Sequence, residues 1–162
     1  QEVFAERGLG APLEDIAARA GVSVGTLYNR FGSREGLIDG AMTVLLRDQV
    51  EAIVARADAS PDKWSRFAGY LHGLTEMQIL SPALAQSIAR APSGSELAQE
   101  CASAMQHVAA ALEDAIDAGV VRSDARIDDV NALLVANVAV ISTFDADAAR
   151  RLTDVVLAGL RR

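Results

Sequence analysis

A group of hydrogen-bonding side chains lies within a stretch of twelve residues near the start of this 162-residue chain. It comprises Ser23, Thr26, Tyr28, Asn29, Arg30 and Arg34. Hydroxyl and guanidinium groups donate hydrogen bonds to phosphate oxygens, and an amide can pair with the edge of an adenine. No acidic residue occurs from Ile16 to Arg34, although the whole chain has a net charge of −7. The segment could therefore present a local positive patch to a polyanion.

Two short helices joined by a tight turn are predicted to position these side chains. Pro12 suits the first residue of one helix, which runs to about Ala20 and is ended by Gly21. Ser23 is a plausible N-cap for the next helix, at 24–30. The apolar contact between the two helices is predicted from Ile16, Ala17, Val22 and Leu27. This arrangement is a helix-turn-helix, whose second helix enters the major groove of DNA.

The stretch FAERGLGAPLEDIAARAGVSVGTLYNRFGSREGLIDGAM resembles the DNA-binding head of the TetR/AcrR transcriptional regulators and covers about a quarter of the chain. The matching motifs are Ile16-Ala17, Ala20 to Ser23, Gly25 to Tyr28, Arg30-Phe31, and Ser33 to Glu35 with Leu37. Arg30 stands where the family commonly has His, and Arg34 where it has Lys, so both positions keep a phosphate donor. Ala11-Pro12 replaces the usual Thr cap of the second helix.

The resemblance implies a role for each residue of the recognition helix. Val24 and Gly25 would face base edges, and Tyr28 would lie near a base methyl group or the backbone. Phosphate contacts would come from Ser23, Thr26, Tyr28, Arg30 and Arg34. Asn29 could contact adenine or could equally be solvated. The first helix, at 1–7, is expected to be truncated at its start, and the basic arm expected before it is absent from the sequence.

Spacings of three and four between apolar residues continue through the rest of the chain and predict an all-α fold. Further helices are expected at about 33–57, 61–79, 82–90, 96–118, 128–143 and 146–160. Ser33, Ser60 and Ser93 are the expected caps of the first, second and fourth of these. The predicted organisation is a three-helix head at 1–40 and a C-terminal helical bundle at 41–162 for ligand binding and dimerisation, as in TetR-like proteins.

The last two predicted helices carry more apolar surface than one packing partner covers. Their stripes predict a four-helix dimer interface that includes Val135, Ala139, Leu152, Val156 and Leu160. The alternative is that both faces are covered within one monomer. A two-fold dimer is favoured because a single short head makes few contacts with DNA.

The resemblance also implies an effector pocket in the C-terminal bundle. The candidates are Phe67, Leu71, Leu74, Cys101, Met105 and Asn137. Asn137 interrupts an apolar stripe, and a ligand could satisfy its amide. The alternatives are a hydrogen bond to neighbouring backbone or across the dimer for Asn137, and a plain core position for Cys101. The scarcity of aromatic residues outside the head favours an aliphatic or mixed ligand.

The sequence lacks the motifs of an enzyme: a metal-ligand cluster, a nucleophile elbow, a phosphate loop or a dinucleotide fingerprint. We therefore expect no enzyme activity, no cofactor and no bound metal. One cysteine, no signal peptide and no long apolar run predict a cytoplasmic protein without a membrane partner. The predicted function is a ligand-responsive repressor that binds a palindromic operator as a homodimer and is released by an unknown small-molecule effector. The alternative is a ligand-independent helical DNA-binding or interaction protein.

Overall fold

A computed structural model describes residues 2–162, without the side chain of Ala5. Within that range the chain forms helices joined by short connections, and the predicted all-α class is confirmed. The helices are α1 Glu2–Arg7, α2 Leu13–Ala20, α3 Val24–Phe31, α4 Arg34–Asp58, α5 Lys63–Leu80, α6 Pro82–Arg90, α7 Glu96–Asp117, α8 Ile127–Thr143 and α9 Ala146–Leu160. No helix in this range is long and apolar enough to cross a membrane.

The chain divides into two compact units. The first contains residues up to Asp48 together with Ser81–Cys101, and the second contains Gln49–Leu80 together with Ala102–Arg162. Helices α4 and α7 each contribute residues to both units. The functional division predicted after residue 40 follows a different criterion and stays a prediction.

Most helix ends match the predictions to within two residues, but three caps differ. Pro12 is the N-cap of α2 and not its first residue. At α5 the Asp62 carboxylate accepts from the Ser65 amide at 2.8 Å, where Ser60 was expected to cap. A carboxylate is a strong acceptor and its charge suits the positive end of the helix dipole. At α7 the cap is Ser95, which accepts from the Ala98 amide at 3.2 Å, and not Ser93.

The helix-turn-helix in the first unit has its own small core. Ala17, Leu27 and Leu37 are buried together, and the partly buried residues packed against them are Leu13, Ile16, Val24 and Phe31. Gly21 ends α2 with φ 68°, a left-handed conformation that glycine adopts without steric cost. This turn directs α3 across α2 and leaves the other face of α3 exposed.

The core of the second unit is formed by α5, α8 and α9, which pack on one another. Phe67, Tyr70 and Leu71 of α5 are fully buried. The apolar residues buried on the neighbouring helices are Val130 and Leu133 of α8 and Ala149, Leu157 and Leu160 of α9. The face of α5 that was predicted to be apolar is therefore a packing face.

Candidate nucleic-acid interface

The N-terminus of α3 is organised by two hydroxyl groups. Ser23 has extended backbone angles, and its Oγ accepts from the Thr26 amide at 3.1 Å. The same Oγ lies 2.9 Å from Thr26 Oγ1, so one hydroxyl donates to the other. The Ser23 cap predicted from the sequence is therefore present. It holds both hydroxyls beside the positive end of the α3 dipole, where phosphate groups bind favourably.

Six of the eight predicted DNA-contact residues are exposed on and beside α3. They are Ser23, Gly25, Thr26, Tyr28, Asn29 and Arg30. The Tyr28 residue is 49% exposed, so its ring is accessible to a binding partner. These residues combine hydroxyl, amide and guanidinium donors with an aromatic ring. Such a surface can contact both phosphates and base edges.

Val24 and Arg34 are placed differently from what the resemblance implied. Val24 is half-buried and packs against the core of Ala17, Leu27 and Leu37, so its side chain is occupied in folding the head. The Arg34 Nη2 donates to the carbonyl oxygens of Leu9 at 2.5 Å and Ala11 at 2.7 Å. Arg34 thus holds the connection between α1 and α2 against the start of α4.

Ion pairs within the folded head neutralise part of the positive charge that the sequence places in this region. Arg19 pairs with Glu2 at 2.6 Å and with Glu6 at 3.3 Å, and the hydrogen bond to Glu2 is the main cause of its raised pKa. Arg30 has no ion-pair partner in residues 2–162 and lies 5.7 Å from the centre of the Phe31 ring. Arg30 is therefore the cation of α3 that is available to phosphate.

Two protein-family profiles match the sequence of this chain. The profile of bacterial regulatory proteins of the tetR family matches residues 1–41. The profile of the C-terminal domain of SbtR-like transcriptional regulators matches residues 61–162, which is more than half of the chain. The chain belongs to the TetR family. The resemblance seen in the helix-turn-helix thus extends to residues 61–162 of this TetR-family regulator.

Solved structures of other TetR-family proteins share its fold. A TetR transcriptional regulator from Streptomyces coelicolor is 31% identical, with 99% of this chain and 93% of that one covered at a TM-score of 0.65. A TetR/AcrR regulator from Thermobifida fusca is 20% identical, with 99% and 93% covered at 0.74. AibR in complex with isovaleryl coenzyme A and operator DNA is 15% identical, with 98% and 92% covered at 0.69. No curated protein matches the sequence.

The six predicted effector residues have different surroundings in this TetR-family regulator. Phe67, Leu71 and Leu74 are buried on one face of α5, and Met105 is half-buried. Cys101 is half-buried and belongs to the first unit, while the other five belong to the second. Burial raises the pKa of Cys101 to about 11, so the thiol stays protonated at neutral pH.

Asn137 is fully buried and is bonded in a way that the sequence did not suggest. Its Nδ2 donates to Thr75 Oγ1 and to Thr153 Oγ1, both at 3.1 Å. The two threonine oxygens lie 2.8 Å apart. Both partners of the Asn137 Nδ2 are side chains of the same chain. Both threonines interrupt apolar helical stripes, which is the pattern that could have pointed to them.

None of the six predicted effector residues lines the three cavities described next. A crevice of about 580 Å³ lies along α8 and α9. A groove of about 480 Å³ lies in the first unit, between the start of α4 and the connection from α6 to α7. A cleft of about 300 Å³ lies between α5 and α9. No group of three or more potential metal ligands of the His, Cys, Asp or Glu type occurs in the described part of the chain.

Four of the five predicted interface residues are accessible. Val135 is 74% exposed, Ala139 is exposed, and Leu152 and Val156 are half-buried. Leu160 is only 8% exposed, and its place in the interface stays a prediction. Its carbonyl accepts from the Arg122 amide at 3.0 Å, where the chain end pairs with the segment around Val121.

Proposed function

We propose that this TetR-family regulator binds operator DNA as a homodimer in the cytoplasm and is released by a small-molecule effector. The observation that carries the proposal is the exposed face of α3. It has the Ser23 and Thr26 hydroxyls at its N-terminus and an Arg30 without an ion-pair partner in residues 2–162. The operator in the AibR complex supports DNA as the partner, and its isovaleryl coenzyme A supports an effector.

Dimerisation is supported by the outer face of α8 and α9. Val135 and Val155 are 74% and 67% exposed, and each is bordered by small exposed residues such as Ala136 and Ala158. Exposed apolar side chains are common in the interfaces between protein subunits. A second copy bound through the same face would form a four-helix interface with two-fold symmetry, which suits a palindromic operator.

In DNA binding, the proposed contacts fall into two groups. Ser23, Thr26 and Arg30 bond phosphates and fix the register of α3 in the major groove. Gly25 allows close approach to base edges, and Tyr28 and Asn29 contact bases. Val24 and Arg34 act indirectly, because one packs in the head core and the other holds the α1–α2 connection.

The test starts by selecting operator sequences from a random duplex DNA library with the wild-type protein. The affinity of the selected duplex is then measured by fluorescence anisotropy at several salt concentrations, for wild type, Arg30→Ala and Arg56→Ala. Arg56 is an exposed arginine of α4 outside the head, so its variant removes the same charge. We expect Arg30→Ala to weaken binding and to reduce the salt slope by about one per subunit.

The Arg56→Ala variant should bind as wild type does. Equal binding and equal salt slopes for Arg30→Ala and wild type would contradict the proposed α3 interface. Failure of the wild-type protein to enrich any duplex would contradict operator binding itself.

A further inference from the structure

Phe31, the last residue of α3, lies against the first two turns of α4. Gly36 and Gly40 of α4 are one helical turn apart and therefore lie on the same face of this helix. A Cβ atom on Gly36 would overlap the carbonyl oxygen of Phe31 and would lie 3.4 Å from its carbonyl carbon. A Cβ atom on Gly40 would lie 3.3 Å from Cε1 and 3.6 Å from Cδ1 of the Phe31 ring. This face of α4 thus contacts both the backbone and the ring of Phe31.

Two further contacts fix the position of Phe31. The residue is half-buried and packs against the core of the head. The Ser33 Oγ accepts from the Gly36 amide at 3.0 Å, which fixes the start of α4 just after α3. Packing against two helices restricts the side-chain torsions of a phenylalanine, so the ring has a defined direction.

The Arg30 guanidinium lies over this ring. Its Cζ atom is 5.7 Å from the ring centre, within the distance at which an aromatic face attracts a cation. Arg30 is exposed and has no ion-pair partner in residues 2–162. A cation–π contact needs no acceptor atom, so the N–H donors of Arg30 stay available to phosphate. The ring can therefore orient the guanidinium without occupying the groups that would bind DNA.

Orientation matters for Arg30 because an arginine side chain is long and has many rotamers. Fixing one of them when DNA binds costs conformational entropy. A contact that already restricts the side chain in the free protein lowers this cost and so raises the affinity. The Phe31 ring makes such a contact with Arg30 in the absence of DNA.

We propose that Phe31 is a positioning residue for operator binding. Gly36 and Gly40 of α4 fix its ring, and the ring orients the Arg30 guanidinium towards a phosphate. The inference rests on the proposed function, because Arg30 is one of the phosphate contacts proposed for α3. A residue that served only the packing of the head would instead affect the whole of α3, with or without Arg30.

The test is a double-mutant cycle between Phe31 and Arg30 on the full chain, measured by fluorescence anisotropy with the duplex that the wild-type protein selects. Phe31→Leu keeps an apolar side chain but removes the ring. We expect it to weaken binding by about fivefold to thirtyfold, since each of two subunits loses one cation–π contact. In the Arg30→Ala background the same substitution should weaken binding by less than about twofold, because the group on which the ring acts is gone. Phe31→Tyr keeps an aromatic ring and should bind within about twofold of wild type.

Ile16→Val is the matched control, because Ile16 lies in α2 and is half-buried against the same core of the head. Any loss of affinity that it causes should be the same with Arg30 and with Arg30→Ala. Gly40→Ala is a second probe that leaves Phe31 and the core residues unchanged. Its methyl group would press on the ring at 3.3 Å, so it should weaken binding with Arg30 present but not in the Arg30→Ala background.

Urea unfolding shows which variants are folded under the binding conditions. An equal loss for Phe31→Leu in both backgrounds would make Phe31 a packing residue and overturn the inference, while the proposed α3 interface would stand. If Phe31→Leu does not fold, the same comparison with Gly40→Ala decides. If Arg30→Ala binds as wild type does, the α3 interface is wrong and the inference falls with it.

Discussion

Arg30 and Arg34 carry the same guanidinium group and are four residues apart in sequence, but they lie in different helices and have different surroundings. Arg30 is exposed on α3 without an ion-pair partner in residues 2–162. Arg34 is half-buried, and its Nη2 bonds two carbonyl oxygens of the α1–α2 connection. A buried carbonyl that loses a charged donor is costly, whereas an exposed arginine contributes little to stability. Substituting Arg34 should therefore affect the stability of the head, whereas substituting Arg30 should affect DNA binding.

At the residue scale, we expect Arg34→Ala to lower the free energy of unfolding by about 1–3 kcal/mol, because two carbonyls lose a charged donor. Arg30→Ala should change it by less than about 0.5 kcal/mol. Urea unfolding followed by circular dichroism measures both. At a temperature where each variant is folded, Arg30→Ala should have the smaller salt slope in DNA binding. Wild-type stability together with a reduced salt slope for Arg34→Ala would instead make Arg34 a phosphate contact.

At the scale of elements, α5 approaches α4 closely through glycine. A Cβ atom on Gly73 would lie 2.8 Å from Ile53 Cγ2 and 3.0 Å from its Cγ1. Ile53 is buried and its Cγ2 is attached to the branched Cβ, so it cannot move aside freely. One turn earlier, a Cβ on Gly69 would meet Ala57 at an ordinary 3.7 Å. The same helix thus contains one glycine required by packing and one that is not.

These two glycines predict opposite effects of the same substitution. Gly73→Ala should destabilise the protein by about 1–3 kcal/mol through overpacking, despite the better helix propensity of alanine. Gly69→Ala should stabilise it by up to about 1 kcal/mol, because alanine loses less backbone entropy in a helix. Urea unfolding of the two variants beside wild type measures both signs. Equal stabilisation by both would contradict the close approach of α4 and α5.

Helix positions were largely predictable because their ends are marked locally by Gly21, Ser23, Pro82 and Asp145. What could not be predicted depends on contacts between distant parts of the chain. Examples are the bonds from Arg34 to the α1–α2 connection and the pairing of the chain end with the segment around Val121, which join residues far apart in sequence. The same holds for the two threonines around Asn137. Asn137 could be singled out from the sequence because a single amide in an apolar stripe is visible within one helix, but its threonine partners could not.

At the scale of the whole molecule, operator binding through α3 depends on dimerisation. Two recognition helices must lie about 34 Å apart to enter successive major grooves. A two-fold interface is the simplest way to hold them at that spacing, and the outer face of α8 and α9 offers small residues that permit close helix contact. Ala136 is exposed in the isolated chain and lies beside Val135 on that face. A charge at Ala136 would be buried without a partner in the dimer.

Ala136→Glu should therefore convert the proposed dimer to a monomer, measured by sedimentation equilibrium at micromolar protein concentration. The matched control is Ala102→Glu, at an exposed position of α7, which adds the same side chain within a helix. That variant should sediment as wild type does, and circular dichroism should show both variants folded. Operator affinity should fall for Ala136→Glu and depend steeply on protein concentration, since two monomers must then assemble on the DNA. A dimer that persists in Ala136→Glu, or a monomeric wild type, would exclude this face as the interface and require another way of placing two recognition helices on one operator.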